Sequence, residues 1–160
     1  VEQIGRGLQR AELPAGRFHC TEAAGWCVID DAYNANPLSM RASLEAAREL
    51  AGDRPLVLVL GEMRELGPAA PAEHRALGRA VAESPAKALF WRGGFAQEVR
   101  QGLEKGGWKG VFSTMDSEAE LLSLVDGLGL AQPVILVKAS RAMGLDRFAA
   151  ALAARREGEA

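Results

Sequence analysis

Short apolar runs alternate along the chain with stretches that have helical periodicity. Five runs have the length of β-strands, at residues 26–29, 56–60, 88–91, 110–112 and 134–137. Those at 56–60 and 134–137 contain no polar residue, which is typical of strands in a parallel sheet covered on both faces. Residues 17–21 are predicted to form a further strand, which pairs antiparallel with residues 26–30 at one edge of the sheet.

The stretches between the runs predict amphipathic helices. Two apolar helical faces are predicted, one from Met40, Leu44, Ala47 and Leu50 and the other from Leu145, Phe148, Ala149 and Leu152. Predicted helix starts are Asn36 before Pro37, Ser117 and Ser140, and predicted helix ends are Gly52 and Gly127. We therefore predict an α/β fold, a Rossmann-like three-layer domain spanning residues 1–160. Its sheet is mostly parallel, with about six strands, one of them an antiparallel edge strand, and helices on both faces.

Composition fits one soluble globular domain and excludes several partners. The chain has 160 residues, of which 48% are hydrophobic and 25% charged, with a net charge of −2. Without a block of like charge, neither nucleic acid nor a membrane surface is expected as a partner. No apolar run approaches the roughly 20 residues that span a bilayer. Residues 1–7 resemble the end of a helix, so we expect a fragment of a longer, cytoplasmic protein.

Two cysteines are too few for a metal site of their own. If residues 22–25 form a hairpin turn, Cys20 and Cys27 are expected to lie opposite each other on adjacent strands. That arrangement leaves open a disulfide or two small buried apolar side chains.

Polar residues follow the predicted strands at the edge where open parallel sheets bind their ligands. The group comprises Asp30, Asp31, Asn34, Gly61, Glu62, Arg64, Arg92, Gly93, Gly94, Thr114, Asp116, Lys138, Ser140 and Arg141. No Gly-x-Ser-x-Gly elbow accompanies them, and His19 and His74 have no companion at metal-ligand spacing. A phosphate-binding Gly-x-x-x-x-Gly-Lys-Ser/Thr loop is also missing, so a nucleotide site would have to be shared with another domain.

Four collinear motifs carry a resemblance to a known family. Asp-Asp-Ala-Tyr-Asn-Ala-Asn-Pro-Leu-Ser-Met at 30–40 resembles the signature of the C-terminal domain of the Mur ligases. Residues 58–67 with Glu73-His74, residues 136–145 and the entry at 14–18 resemble further stretches of that domain in the same order. Within the family, the chain most resembles the type that adds D-alanyl-D-alanine to a UDP-N-acetylmuramoyl-tripeptide.

The resemblance implies a three-domain enzyme of peptidoglycan precursor synthesis, whose N-terminal and central ATPase domains are not in this chain. ATP would phosphorylate the terminal carboxylate of the tripeptide, and the amine of D-alanyl-D-alanine would attack the acyl phosphate. The central domain is expected to hold ATP and Mg²⁺ mainly and to carry the catalytic residues. The partners expected are therefore the protein's own two other domains, the UDP-linked tripeptide and the dipeptide.

Similar ligases also suggest roles for single residues. Predicted nucleotide-binding residues are Arg17, Asp31, Tyr33 and Asn34, with Asp31 accepting from ribose hydroxyls. Predicted substrate-binding residues are Lys138, Ser140 and Arg141, for the acceptor carboxylate, and Asn36, which is mainly a helix cap. Each residue also has an alternative role without a ligand. Asp31 could cap a turn, and Arg17 could be an ordinary surface arginine. Ser140 could cap a helix while Lys138 and Arg141 are solvated cations. His74 is expected on a helix surface or as a cap, and Glu62 is expected to pair with Arg64.

Two other functions remain open at this point. One is another ligase of the Mur or folylpolyglutamate type, and the other is a non-catalytic α/β binding module. Related ligases that add diaminopimelate carry an arginine directly after Asn-Pro. Here Leu38 follows Pro37, which favours an acceptor without a second charged end.

Overall fold

A computed structural model describes residues 16–155 and contains a six-stranded mixed sheet with helices on both faces. The strands are β1 (His19–Ala23), β2 (Trp26–Asp30), β3 (Leu56–Gly61), β4 (Ala88–Arg92), β5 (Val111–Thr114) and β6 (Val134–Lys138). The helices are α1 (Pro37–Ala51), α2 (Ala70–Ala82), α3 (Ala96–Lys105), α4 (Glu118–Asp126) and α5 (Asp146–Ala153). Short 3₁₀ turns lie at Gly67–Ala69 and Arg141–Met143. The predicted helix end at 1–7 and the first residues of the motif at 14–18 lie outside the described range.

The strand order in space is β1-β2-β6-β3-β4-β5. Among the strands of residues 16–155, β1 pairs antiparallel with β2, and the other neighbouring strands run parallel. The predicted α/β architecture is confirmed. The edge strand begins at His19 instead of residue 17, because residues 16–18 form a turn in which Phe18 has a left-handed φ of 53°.

Alternate residues of the buried strands point into two separate helical layers. Leu58 packs in the layer that holds α1, α2 and α3, whereas Val57 and Val59 pack in the layer that holds α4 and α5. All six residues of β3 and all five of β6 are buried, as their unbroken apolar runs predicted. The sheet therefore forms a rigid base on which the loops at its carboxyl edge are held.

Most of the predicted helix ends are confirmed. The Asn36 side chain accepts from the Ser39 backbone N–H at 2.8 Å, and the Ser39 hydroxyl accepts from the Asn36 N–H at 3.0 Å, so the two residues form a capping box. Ser117 caps α4, and Gly52 ends α1 with a positive φ of 54°. The prediction that Leu50 belongs to the buried face of α1 is wrong, because Ala51 takes that position and Leu50 is 48% exposed.

The strand register corrects the prediction for the two cysteines. Cys20 lies opposite Ile29, and Cys27 lies opposite Glu22, so the thiols are diagonal neighbours instead of a facing pair. Both are free thiols. Burial raises the pKa of Cys20 and raises that of Cys27 to about 11, so both thiols are protonated at neutral pH.

None of the helices within 16–155 is long and apolar enough to cross a membrane.

Candidate functional site at the carboxyl edge of the sheet

The polar residues that follow β2, β3 and β6 meet at one edge because these parallel strands are neighbours in the sheet. Asp31 comes directly after β2, and its backbone N–H donates to the Val137 carbonyl of β6 at 2.9 Å. Lys138 is the last residue of β6 and pairs with Leu60 of β3. The edge thus joins residues more than a hundred positions apart in sequence.

A buried ion pair lies at the centre of this edge. The Lys138 ammonium donates to Asp31 Oδ2 at 2.7 Å and to the Asn34 carbonyl at 3.0 Å. Only 4% of the Lys138 side chain and 14% of the Asp31 side chain are exposed. The ammonium group is therefore committed to Asp31 and to the loop after β2, and its predicted contact with substrate remains a prediction.

The other contacts of Asp31 fix the loop that precedes β1. Asp31 Oδ1 accepts from the Phe18 N–H at 3.1 Å, and the Ser43 hydroxyl of α1 donates to Oδ2. Ser43 is not among the predicted site residues, although a serine on the otherwise apolar face of α1 indicates a buried polar contact. Asp31 therefore holds together three elements of the fold, and whether it also accepts from a ribose hydroxyl remains a prediction.

Tyr33 contacts both of the predicted site arginines. The guanidinium carbon of Arg17 is 4.6 Å from the centre of the Tyr33 ring, and that of Arg141 is 5.5 Å from it, both within cation–π range. The ring is 44% exposed, and both arginines lie on the surface. The structure thus brings together one residue from each of the loops before β1, after β2 and after β6.

A hollow of about 490 Å³ opens beside this ring. Its polar lining consists of Tyr33, Asn34, Arg64, Glu65, Ser140 and Arg141. The helical element that starts after Ser140 is a short 3₁₀ turn instead of an α-helix, and the Ser140 hydroxyl does not cap it. That hydroxyl instead accepts from the Arg64 N–H at 2.8 Å, which joins the loops after β3 and β6. A second hollow of about 560 Å³ lies between α1 and α2, and we favour the first because four of the predicted site residues line it.

Asn34 and Asn36 use their amides locally. The Asn34 side chain accepts from the Ala35 N–H at 2.8 Å, and the Asn36 side chain caps α1. Both residues are exposed, and Asn34 lines the hollow. Their amide NH₂ groups have no acceptor among the hydrogen bonds of the described residues, so they are the parts of these side chains that a ligand would meet.

The loop after β3 is braced by Glu62. Its carboxylate lies 3.4 Å from Arg64, which confirms the predicted ion pair, and accepts from the Gly94 N–H at 3.1 Å. Glu62 therefore connects the ends of β3 and β4. Arg64 remains 56% exposed at the wall of the hollow.

His74 corrects a prediction, because it is fully buried instead of lying on a helix surface. The Met63 N–H donates to Nε2 at 3.1 Å, so the proton must be on Nδ1, which donates to the Ala70 carbonyl at 2.7 Å. Burial lowers the pKa of the imidazole, and the ring stacks on Phe95 at 4.4 Å. His74 thus acts as a neutral support for the loop after β3.

Within residues 16–155, no three His, Cys, Asp or Glu side chains are grouped so that they could hold a metal ion. The exposed cations at the edge, Arg17, Arg64 and Arg141, are arginines, which suit carboxylate and phosphate oxygens as bidentate donors.

An open, mostly parallel sheet with converging polar groups at its carboxyl edge defines a ligand-binding α/β domain. Residues 16–141 match the family described as Mur ligase, glutamate ligase domain, and the chain belongs to this family.

The relatives that the chain matches are longer proteins. It is 38% identical over 175 residues to UDP-N-acetylmuramoyl-tripeptide–D-alanyl-D-alanine ligase of Mycobacterium tuberculosis, covering 96% of this chain and 34% of that protein. A crystal structure of MurF from Acinetobacter baumannii superposes with a TM-score of 0.80 at 31% identity, covering 97% of this chain and 34% of that one. The MurF ligase of Thermotoga maritima in complex with ADP has the same fold, with a TM-score of 0.75 at 23% identity, covering 94% of this chain and 35% of that one. The chain spans about a third of the length of the relatives it matches.

Proposed function

We propose that this chain is the C-terminal domain of an ATP-dependent ligase that adds D-alanyl-D-alanine to a UDP-N-acetylmuramoyl-tripeptide. The observation that carries the proposal is the 38% identity to a ligase of that name across almost the whole chain. The arginine-rich hollow at the sheet edge supports it, because both substrates and ATP carry anionic groups. An N-terminal domain and a central ATPase domain would complete the protein.

Arg17, Asp31, Tyr33 and Asn34 are proposed to form this chain's part of the nucleotide site. Arg17 is exposed and can reach a phosphate or a ribose, as its planar set of donors allows. Phe18 directly follows Arg17, and its N–H donates to the Asp31 carboxylate at 3.1 Å. Asp31 thereby fixes the backbone beside Arg17 and with it the direction of the Arg17 side chain. ADP bound to the Thermotoga maritima relative supports a nucleotide as ligand.

Asn36, Lys138, Ser140 and Arg141 are proposed to form the acceptor site. Arg141 is exposed at the hollow and can bind the single carboxylate of the dipeptide. Lys138 and Ser140 are buried, so their contribution is to fix the walls of the hollow through Asp31 and the Arg64 N–H. Asn36 lies at the exposed start of α1.

The reaction requires cations around the transferred phosphoryl group and exclusion of water from the acyl phosphate. The tripeptide carboxylate would take the γ-phosphoryl group of ATP, and the dipeptide amine would then displace phosphate to form the amide. Arg17 and Arg141 would supply positive charge from this chain, and closure of the domain over its partner domains would exclude water. Mg²⁺ and most contacts to ATP are assigned to the central domain. Because the UDP-linked tripeptide and ATP are cytoplasmic compounds, we place the reaction in the cytoplasm.

The full-length protein tests this proposal through release of phosphate from ATP in the presence of the UDP-linked tripeptide. Phosphate release should depend on D-alanyl-D-alanine, and L-glutamate or diaminopimelate should not replace it. Arg17→Ala and Asp31→Ala should abolish most of the ligation, whereas Arg48→Ala, in an exposed pair on α1, should not. Turnover with L-glutamate or diaminopimelate instead would identify another ligase of the superfamily. No turnover with any acceptor would favour a non-catalytic binding module.

The gene offers an independent test. A Gly-x-x-x-x-Gly-Lys-Thr/Ser loop encoded upstream of Val1 is expected, because the chain itself has no loop that grips a triphosphate. If no such loop is encoded, the ligase proposal fails.

A further inference from the structure

We propose that Tyr33 is a positioning residue shared by the two halves of the site, holding Arg17 for the nucleotide and Arg141 for the acceptor dipeptide. This inference rests on the proposed function but goes beyond it, because it gives the aromatic ring a role separate from direct contact with the nucleotide. Its basis is that guanidinium groups from two different loops lie over a single ring, at 4.6 Å and 5.5 Å from its centre.

The ring is a stable support because the Tyr33 backbone is tied to two neighbouring segments. Its N–H donates to the Gly16 carbonyl at 3.0 Å, and two residues earlier Asp31 N–H donates to Val137 of β6 at 2.9 Å. Gly16 has a φ of +77°, and a Cβ built there would lie 3.2 Å from the Tyr33 nitrogen. The loop before β1 therefore approaches Tyr33 closely, and that approach carries Arg17 over the ring.

The two arginines need such a support. Each guanidinium is on the end of a long, flexible and exposed side chain, whose ordering costs conformational entropy. Among residues 16–155, no carboxylate pairs with either of them, unlike Arg48, Arg54, Arg64, Arg147 and Arg155. Contact with the ring keeps them ordered and leaves their N–H donors available to anions, whereas a carboxylate partner would occupy those donors.

The ring face, and not the phenol hydroxyl, is therefore the functional part of Tyr33. Tyr33→Phe keeps the face and removes only the hydroxyl, so it should raise the KM for ATP and the KM for D-alanyl-D-alanine much less than Tyr33→Leu does. Tyr33→Leu removes the face, and in the full-length protein it should raise both KM values by about fivefold, within the range that an exposed cation–π contact provides. Phe112→Leu is the matched control, because it also removes a ring that an arginine contacts, with the Arg100 guanidinium carbon 4.7 Å from the ring centre. Phe112 lies on β5, the outermost strand, so this variant should change neither KM.

Two double-mutant cycles test whether Tyr33 acts on each KM through Arg17 and Arg141. Arg17→Gln should raise mainly the KM for ATP, and adding Tyr33→Leu to it should produce no further rise in that value. Arg141→Gln should raise mainly the KM for the dipeptide, again with no further rise on adding Tyr33→Leu. Should Tyr33→Leu fail to fold, as judged by its melting temperature, Tyr33→Gln replaces it in both cycles.

Three results would overturn the inference while the parent still ligates D-alanyl-D-alanine. They are a leucine variant with parental KM values, a phenylalanine variant as impaired as the leucine variant, and additive effects in the cycles. A parent that does not ligate the dipeptide would instead refute the proposed function, so the two failures are distinguishable.

Discussion

Replacing Lys138 by methionine would test how far the buried pair at the sheet edge stabilises the fold. Methionine keeps an unbranched side chain of similar length and removes the ammonium group. Asp31 then loses its 2.7 Å partner, and the Asn34 carbonyl loses a donor at 3.0 Å. The Asp31 carboxylate remains 14% exposed and keeps its bond from the Phe18 N–H.

The cost follows from leaving a carboxylate buried without its counter-charge. Breaking a buried pair by removing one partner costs about 3–5 kcal/mol in typical proteins. The slight exposure of Asp31 and its remaining donors place this variant at the lower end, at about 3 kcal/mol of unfolding free energy. For a domain of this size, that corresponds to a fall in melting temperature of about 9 °C.

Urea denaturation at neutral pH measures the loss directly, with Arg48→Ala as the control. Arg48 forms an ion pair with Glu45 on the surface of α1, where both side chains are about half exposed, so its removal should change stability little. High salt should weaken the surface pair and leave the cost of Lys138→Met unchanged, since buried pairs are screened less. A loss below about 1 kcal/mol for Lys138→Met, on the scale of an exposed pair, would refute the reasoning.

Three further predictions concern other parts of the fold. Burial lowers the pKa of His74, so as the pH falls below about 6.5 the unfolded chain protonates this residue before the folded chain does. The parent should therefore lose more stability between pH 7.5 and pH 5 than His74→Gln does. Equal losses for the two proteins in urea titrations would contradict this. Gly78→Ala should lower the unfolding free energy measured by chemical denaturation by about 3 kcal/mol, because the new Cβ would lie 2.2 Å from the Val99 carbonyl oxygen where α2 meets α3. Gly127→Ala is the control and should cost much less, because the nearest atom to its Cβ is the Ser123 carbonyl oxygen at 3.2 Å. Asn36→Ala should lower the stability by about 1 kcal/mol and Asn36→Ser should restore most of it; a serine variant as unstable as the alanine variant would argue against the cap.

The sheet could be predicted from the sequence because the apolar composition of its strands indicates that they are buried. The unbroken apolar runs of β3 and β6 are typical of strands in a sheet covered on both faces, and the polar residues that follow parallel strands gather at one edge. The start of β1 was missed by two residues, because the left-handed turn at Phe18 depends on its bond to Asp31 and not on local propensity.

The partners within the site could not be predicted, because they depend on strand order and side-chain conformation. Lys138 meets Asp31 only since β6 inserts beside β2, an adjacency that no local pattern encodes. The contacts of Tyr33 with Arg17 and Arg141 require three loops to be placed first. His74 was expected on the surface because a histidine among polar helix residues gives no sign that both its nitrogens have backbone partners.

The position of β6 in the sheet also constrains how the protein is made. This strand is near the end of the described chain, yet it lies in the middle of the sheet, between β2 and β3. Until the ribosome has released residues 134–138, a nascent chain has two sheet fragments with exposed apolar edges and no pairing between them. Folding of this domain should therefore begin late in synthesis, and a message truncated before that strand should yield an aggregation-prone product instead of a smaller folded one.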